Sequence, residues 1–335
     1  LKASYKPYQL EFKKTILTSR GGMQFKNGFY LELTNDIVSG LGEVSFIEGL
    51  SIDNLKSIKS FLDAVVSRFS LGDPLPLDYF RAYPSVAFGY ETAFQDLNTG
   101  GKGLLFESDF TLGKKAIPIN GLIWMGEKSF MLEQIKDKLR EGFRCVKLKV
   151  GALDFITEIE LLKYIRTEFT VADIEIRLDA NGAFLASEAL GKLKILSDLN
   201  IHSIEQPIKQ GQWEQMAFLC SESPISIALD EELIFCNEDE KKLMLETIRP
   251  AYIILKPSML GGFCACDSWI AMAQDLRIGW WATSALESNV GLNAIAQWVA
   301  TKNTDMIQGL GTGALYKTNT PTSLSISNGY LAYCS

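Results

Sequence analysis

The chain has 335 residues, 47% apolar and 22% charged, with a net charge of −7. That length suits one large domain with a smaller companion, and no apolar run approaches the roughly 18 residues of a membrane span. The acidic balance argues against a nucleic-acid partner, and a single histidine excludes most His-based zinc sites.

The opening stretch, LKASYKPYQLEFKK, lacks the apolar core of a secretory signal. Six cysteines without a C-x-x-C pair read as reduced thiols, so the chain is expected in the cytoplasm. GMQFKNGFYLEL sets Asn27-Gly28 between two β-prone runs, which predicts a hairpin. NLKSIKSFLDAVVSRF and PSVAFGYETAFQDL then predict helices, so the first part is an α+β unit.

From about residue 117 the grammar changes. Apolar runs begin near Ile117, Cys145, Ile174, His202, Ile225, Tyr252, Gly279 and Met306, at intervals of about 23 to 29 residues. Helical stripes lie between them, such as Phe155, Ile159, Leu162, Ile165 and Phe169, then Leu190, Leu193, Leu196 and Leu199. Eight runs with helical crossovers predict a closed parallel barrel. The β-prone tail from about Tyr316 is expected to return to the N-terminal unit.

Charged residues sit at the polar ends of these runs: Lys147 and Lys149, Asp179, Glu205, Asp230 and Lys256. Steps of 30, 26, 25 and 26 from Lys149 onward place each on a successive strand. K-x-K is a common surface pattern, but Val146, Leu148 and Val150 claim the outer face of this strand, so both lysines turn inward. Two neighbouring ammonium groups repel, which should lower the pKa of at least one and make it a base. Three carboxylates repel unless a cation joins them, and oxygen-only ligation favours Mg²⁺, with Mn²⁺ accepting the same ligands. Lys256, across the barrel from Lys149, completes a site suited to proton abstraction alpha to a carboxylate. Arg177 shares the inward direction of Asp179, Ser284 and Glu287 end the seventh run, and Gly311 lies in GLGTG. Arg177, Ser284 and Gly311 are therefore candidates for binding a small-molecule carboxylate. Asn181 and Glu231 stand beside the metal candidates and should support them. His202, at the far end of its strand, reads as structural.

K-x-K, D-A-N-G, I-E-Q-P, L-D-E and K-P-S, in this order and spacing, resemble the muconate-lactonizing subgroup of the enolase superfamily. The resemblance implies an α/β fold, a (β/α)7β-type TIM barrel at 111–315, an enolase-like α+β capping domain at 1–110 and a tail at 316–335. It also implies Mg²⁺ on Asp179, Glu205 and Asp230, with Lys149 removing the alpha proton and returning it to a departing hydroxyl. Lys256 would stabilise the resulting enediolate from the opposite face, Lys147 would lower the pKa of Lys149, and Ser19 to Phe25 would form a lid. Within the subgroup, S-A-L-E-S-N-V-G followed by Q-G-L-G-T-G looks most like enzymes that eliminate water from a cyclohexadiene carboxylate. Dipeptide epimerases usually carry Asp-x-Asp where this chain has Gly-Leu-Gly. The rival reaction is racemisation of N-succinylamino acids by the same lysine pair. A silent barrel kept as a binding protein is the non-enzymatic rival, and the presence of all six charged residues argues against it.

Overall fold

The computed structural model describes residues 1–18, 21–35, 37–71, 75–124, 126–151 and 153–334, with backbone alone at residues 17 and 18. The chain opens with an antiparallel sheet of β1 (Lys2–Thr18), β2 (Gly21–Thr34) and β3 (Ser39–Ser45). Two helices cover it, α1 (Leu55–Ser70) and α2 (Pro84–Asn98). Their starts follow from local chemistry. Asn54 and Ser57 form a reciprocal capping box at α1. Asp53 accepts from the backbone N–H and hydroxyl of Ser85, and Pro84 fills the first turn of α2. Phe29, Leu31, Leu33 and Val44 of the sheet pack on Ile58, Leu62, Val65 and Val86 of the helices. Gly40 and Gly42 let α2 approach β3; a Cβ at either would lie 2.1 and 1.9 Å from the backbone oxygens of Ala93 and Gly89.

The expected hairpin at Asn27-Gly28 is not there. Both residues lie within β2, paired with Gln9 and Tyr8 of β1. Gly28 is present for space rather than for a turn, because a Cβ there would lie 2.5 Å from the Tyr8 ring. That ring carries its hydroxyl to Glu43, 2.5 Å away on β3.

A second hairpin sheet joins β4 (Ile117–Pro118) to β12 (Leu324–Ser327) and β13 (Tyr330–Tyr333). This alters one expectation. The first apolar run enters the parallel sheet only at β5 (Gly121–Ile123), because Ile117 and Pro118 pair with the tail. The tail also meets the N-terminal unit: Tyr316 bridges Phe12, Lys317 donates to the Glu11 carbonyl, and the Tyr333 ring packs edge-on against Phe110, with centroids 5.8 Å apart.

Between these ends the chain alternates helix and strand: α3 (Lys128–Arg140), β6 (Cys145–Lys149), α4 (Phe155–Glu168), β7 (Glu175–Asp179), α5 (Ala186–Ser197) and β8 (Ser203–Glu205). Then come α6 (Trp213–Glu222), β9 (Ser226–Leu229), the short α7 (Glu231–Ile234), α8 (Lys241–Ile248) and β10 (Tyr252–Leu255). The short α9 (Pro257–Leu260), α10 (Phe263–Asp275), β11 (Gly279–Ala282) and α11 (Asn289–Ala300) complete the series. Strands β5 to β11 form one parallel, curled sheet in sequence order. Val146, Leu148 and Val150 face outward into a core shared with Ile159, Leu162 and Ile165, as the K-x-K argument requires. The eighth run forms no continuous strand. Gln308 and Gly309 instead bridge Ile119 on one side and Thr283 on the other, linking the two edges of the sheet.

Carboxylates and an amide fasten the N-terminal unit to the helices around this sheet. Glu91 of α2 accepts from Cys264 N–H at 3.2 Å and also from Phe263 N–H, at the start of α10. Glu43 accepts from the backbone N–H groups of Ser288 and Gly291 at the start of α11, both at 2.8 Å. Gln297 of α11 accepts in return from Leu105 and Phe106 N–H. Helix N-termini expose unpaired donors, so a carboxylate from a neighbouring element is a favourable match.

Candidate active site

Parallel register sets the constellation. Lys149 pairs with Asp179 and Asp179 with Glu205, so three strand-end side chains lie abreast. Asp230 and Lys256 follow the last residues of β9 and β10. All six charged residues fall at the C-terminal ends of successive strands, where the sequence spacing placed them. Lys147 Nζ lies 2.9 Å from Asp179 Oδ2 and 2.5 Å from Glu205 Oε2, and Lys149 Nζ lies 3.0 Å from Asp179 Oδ2. Lys256 Nζ pairs with Asp230 Oδ2. Lys147, Asp179, Glu205, Asp230 and Lys256 are each at most 9% exposed, so these pairs work in a medium that screens charge poorly.

The charges shift one another strongly. Burial pulls the Lys147 ammonium down, but Asp179, Glu205 and Asp230 together outweigh it and hold it well above the ordinary lysine value. Repulsion between the two lysines therefore does not make Lys147 the base; the carboxylates hold it as a cation. Lys256 is likewise raised, with burial opposed chiefly by Asp230. Burial opposes ionisation of Asp179, yet Lys147, Lys149 and Lys256 pull its carboxyl far below the usual range. Glu205 goes the other way, pushed well up by burial and by the charge on Asp179. Glu231 is raised to about 7, mainly by burial and by Asp230. Neighbouring acids pushed apart in this way are a mark of functional sites.

Among the described residues no three carboxylates stand ready as a cation cage, because the ammonium groups of Lys147 and Lys256 are drawn in among them. The donor set nevertheless suits a hard cation. Glu205 Oε1, Asp230 Oδ1 and Glu231 Oε2 are buried oxygens with no hydrogen-bond partner. A buried acceptor left unpaired is costly, and a divalent ion is the partner that oxygen ligands favour.

A cavity of about 330 Å³ opens above these groups. Its polar wall includes Lys147, Lys149, Asp179, Asn181, Glu231 and Lys256. Leu122, Trp124, Met259 and Leu286 supply apolar wall from the sheet side, and Met23, Ile47 and Leu50 from the N-terminal unit. Of the expected lid, Ser19 and Arg20 lie outside the described residues, whereas Gly21, Gly22 and Met23 line the cavity.

The substrate-binding candidates divide. Gly311 lines the cavity. Ser284 also lines it, but its hydroxyl donates to Glu287 and accepts from Thr312 Oγ1 and Leu286 N–H, which uses its full hydrogen-bonding capacity. Thr283, next to it on the cavity wall, has a buried hydroxyl without a partner. Arg177 is the clear correction. It pairs with Lys147 across the strands but does not line the cavity; its guanidinium bonds Glu175 at 2.7 Å and Ile307 O at 2.8 Å, over the Trp281 ring. Direction alone could not tell the layer of the sheet interior. Asn181 is more involved than its supporting role suggested, for its side-chain oxygen accepts from Lys149 and its Nδ2 donates to Glu231 at 3.0 Å. His202 is structural, stacked on Tyr252 and bonded to Ser203 Oγ at 2.9 Å. The apolar wall from Met23, Ile47 and Leu50 carried no motif that could announce it.

A curled parallel sheet with acids and lysines at its strand ends, beneath an α+β unit, defines an enolase-type fold. Residues 131–334 match the family described as enolase C-terminal domain-like. The o-succinylbenzoate synthase of Desulfotalea psychrophila is 46% identical, covering 99% of this chain and 98% of that protein. The crystal structure of MenC from Desulfotalea psychrophila LSv54 superposes with a TM-score of 0.90 at 44% identity, covering 99% of both chains. The o-succinylbenzoate synthase of Thermosynechococcus elongatus BP-1, complexed with Mg in the active site, shares the fold at a TM-score of 0.78 and 22% identity, covering 98% of this chain and 97% of that one. The chain belongs to the enolase superfamily and, within it, to the o-succinylbenzoate synthase family.

Proposed function

We propose that the chain dehydrates 2-succinyl-6-hydroxy-2,4-cyclohexadiene-1-carboxylate to o-succinylbenzoate, a step of menaquinone synthesis, in the manner of the muconate-lactonizing subgroup. One observation carries the reading. Lys149 and Lys256 stand four strands apart in the curled sheet, on either side of a buried carboxylate cluster, and both open into one cavity. A planar ring lying between them would present one face to the Lys149 amine and the other to the Lys256 ammonium group.

In this scheme Lys149 Nζ takes the proton alpha to the substrate carboxylate, and the C–H electron pair moves toward that carboxylate. The protonated Lys149 then gives its proton to the hydroxyl on the same face. The C–O bond breaks, water leaves and the ring becomes aromatic, so Lys149 returns to its starting state. Lys256 remains a cation on the opposite face, where its charge opposes the developing anion. Lys147, held as an ammonium by Asp179 and Glu205, adds fixed positive charge beneath Lys149. Asn181, in contact with Lys149, orients the base. Asp179, Glu205 and Asp230 would hold Mg²⁺, or Mn²⁺ in its place, and Asn181 and Glu231 would brace them. When bound, the ion supplies positive charge against the substrate carboxylate. Gly311 offers backbone N–H to the second carboxylate.

The scheme assumes a (β/α)7β barrel at 111–315, a capping domain at 1–110 and a tail at 316–335. The bridges of Gln308 and Gly309 to both sheet edges support the barrel. The acidic charge and small cavity favour a small-molecule substrate over nucleic acid. No helix among the described residues is long and apolar enough to cross a membrane, in keeping with a cytoplasmic enzyme.

Ultraviolet-monitored dehydration of the cyclohexadiene substrate, with Mg²⁺ and with chelator, tests the proposal. Rapid metal-dependent turnover is expected. A folded, metal-loaded protein without turnover would sink it, and N-succinylamino acids would then be tried for racemisation.

A further inference from the structure

Glu287 is fully buried, and three hydrogen-bond donors hold it. Its two oxygens are divided between two loops. Oε1 accepts from Ser258 Oγ at 2.5 Å, whereas Oε2 accepts from Ser284 Oγ at 2.6 Å and Ala285 N–H at 2.7 Å. Ser258 lies in α9, whose first turn hangs from the Lys256 carbonyl through Met259 N–H at 2.8 Å and Leu260 N–H at 3.0 Å. Ser284 and Ala285 belong to the cavity wall, and Thr312 Oγ1 donates to Ser284 Oγ at 2.6 Å. One carboxylate therefore joins the loop that carries Lys256 to the loop that forms the facing wall.

We infer that Glu287 is a positioning residue for the reaction proposed above, fixing Lys256 through Ser258 and the cavity wall through Ser284 and Ala285. A helix as short as Pro257–Leu260 has little rigidity of its own, so its aim depends on an external tether. The tether is buried and made of strong, charge-assisted bonds. Its two arms predict separable effects: the Oε1 arm acts on a group that works in the chemical step, the Oε2 arm on a surface that receives substrate.

The test uses Ser258→Ala, Glu287→Ala and Glu287→Gln in the Mg²⁺-loaded full chain, with near-ultraviolet circular dichroism to confirm folding. Ser258→Ala should lower kcat about tenfold and leave KM within about twofold. Glu287→Ala should lower kcat at least as far and raise KM several-fold as well. Glu287→Gln should recover most of the loss, because its carbonyl can serve Ser284 and Ala285 while its amide donates to Ser258. Unchanged kcat in a folded Ser258→Ala, or a Gln variant as impaired as the Ala variant, would overturn the inference. Should Glu287→Ala not fold, Ser258→Ala decides.

Amide hydrogen exchange keeps this result separate from the reaction assignment. Ser258→Ala should speed exchange over 256–260 alone, and Glu287→Ala over both 256–260 and 283–288. A wild-type protein inert on the cyclohexadiene, yet showing this pattern, would discard the reaction and keep the tether. Equal exchange in all variants would discard the tether.

Discussion

The two ends of the curled sheet both bury charge, and they handle it differently. At the N-terminal ends of the strands, Arg177 satisfies Glu175 and the Ile307 carbonyl and lies 4.3 Å over the Trp281 ring. Cys145 donates to the same Glu175, and His202 is bonded and stacked. At the C-terminal ends, four acids and three lysines cluster at and beneath one cavity floor, and Glu205, Asp230 and Glu231 each keep a buried oxygen without a partner. Burial of charge is common to both ends; unfinished pairing belongs to one. An ion pair completed by its neighbours is structure, whereas an acceptor left over is room for something still to bind.

The largest expected effect tests whether the unfinished end is the working end. Lys149→Ala should reduce kcat about 10³-fold with the fold intact, as loss of a general acid/base does. Retained turnover would make the cavity end as structural as the other. Glu205→Gln comes next: removing the acid that carries an unpartnered oxygen should weaken Mg²⁺ binding at least about tenfold, read by titration calorimetry. Unchanged affinity would mean that the leftover oxygen is not a ligand.

Arg177→Met sharpens the contrast from the other side. It should cost about 2–3 kcal/mol of stability in denaturant unfolding, less than a wholly buried pair because Glu175 keeps some solvent. Turnover per folded molecule should not change. A large loss of kcat with normal stability would return Arg177 to the site.

The smallest effect concerns a third buried charge, Lys26 in β2, which donates to the Phe46 carbonyl and, at 3.2 Å, to that of Asn27. Burial lowers its pKa to about 8, although Glu43, Glu287 and Asp53 oppose the shift. The folded state thus binds the proton less tightly than the unfolded chain does. The cost is fully present below pH 8 and is relieved as pH rises toward 10.5. Relative to Lys26→Met, the wild-type unfolding free energy should climb across that window, by at most on the order of 3 kcal/mol. A flat difference would show that the ammonium is not strained by its burial.

The sequence made the cavity floor legible because strand–helix units have a nearly fixed length. Charges recurring at 25 to 30 residues after Lys149 had to meet at one end of a parallel sheet. Alternation along β6 also told which way Lys147 and Lys149 face. The same rule misplaced Arg177, since alternation gives the face of a strand and not the depth along it. Asn27-Gly28 misled for a related reason: glycine marks a need for space or for an unusual backbone, and here the Tyr8 ring needed the space. The wall of Met23, Ile47 and Leu50 arises from two segments of the N-terminal unit brought over the sheet, a packing relation with no local pattern. Glu287 was readable as a strand-end acid, but its division between two loops is visible only in three dimensions.

The joining of the sheet's edges by Gln308 and Gly309 bears on how the protein is made. Until those residues leave the ribosome, Gly121–Ile123 and Gly279–Ala282 remain open strand edges, able to pair with another nascent chain. A chain cut short before residue 307 would keep every acid and lysine of the cavity floor, yet it would be prone to aggregate rather than merely lose activity.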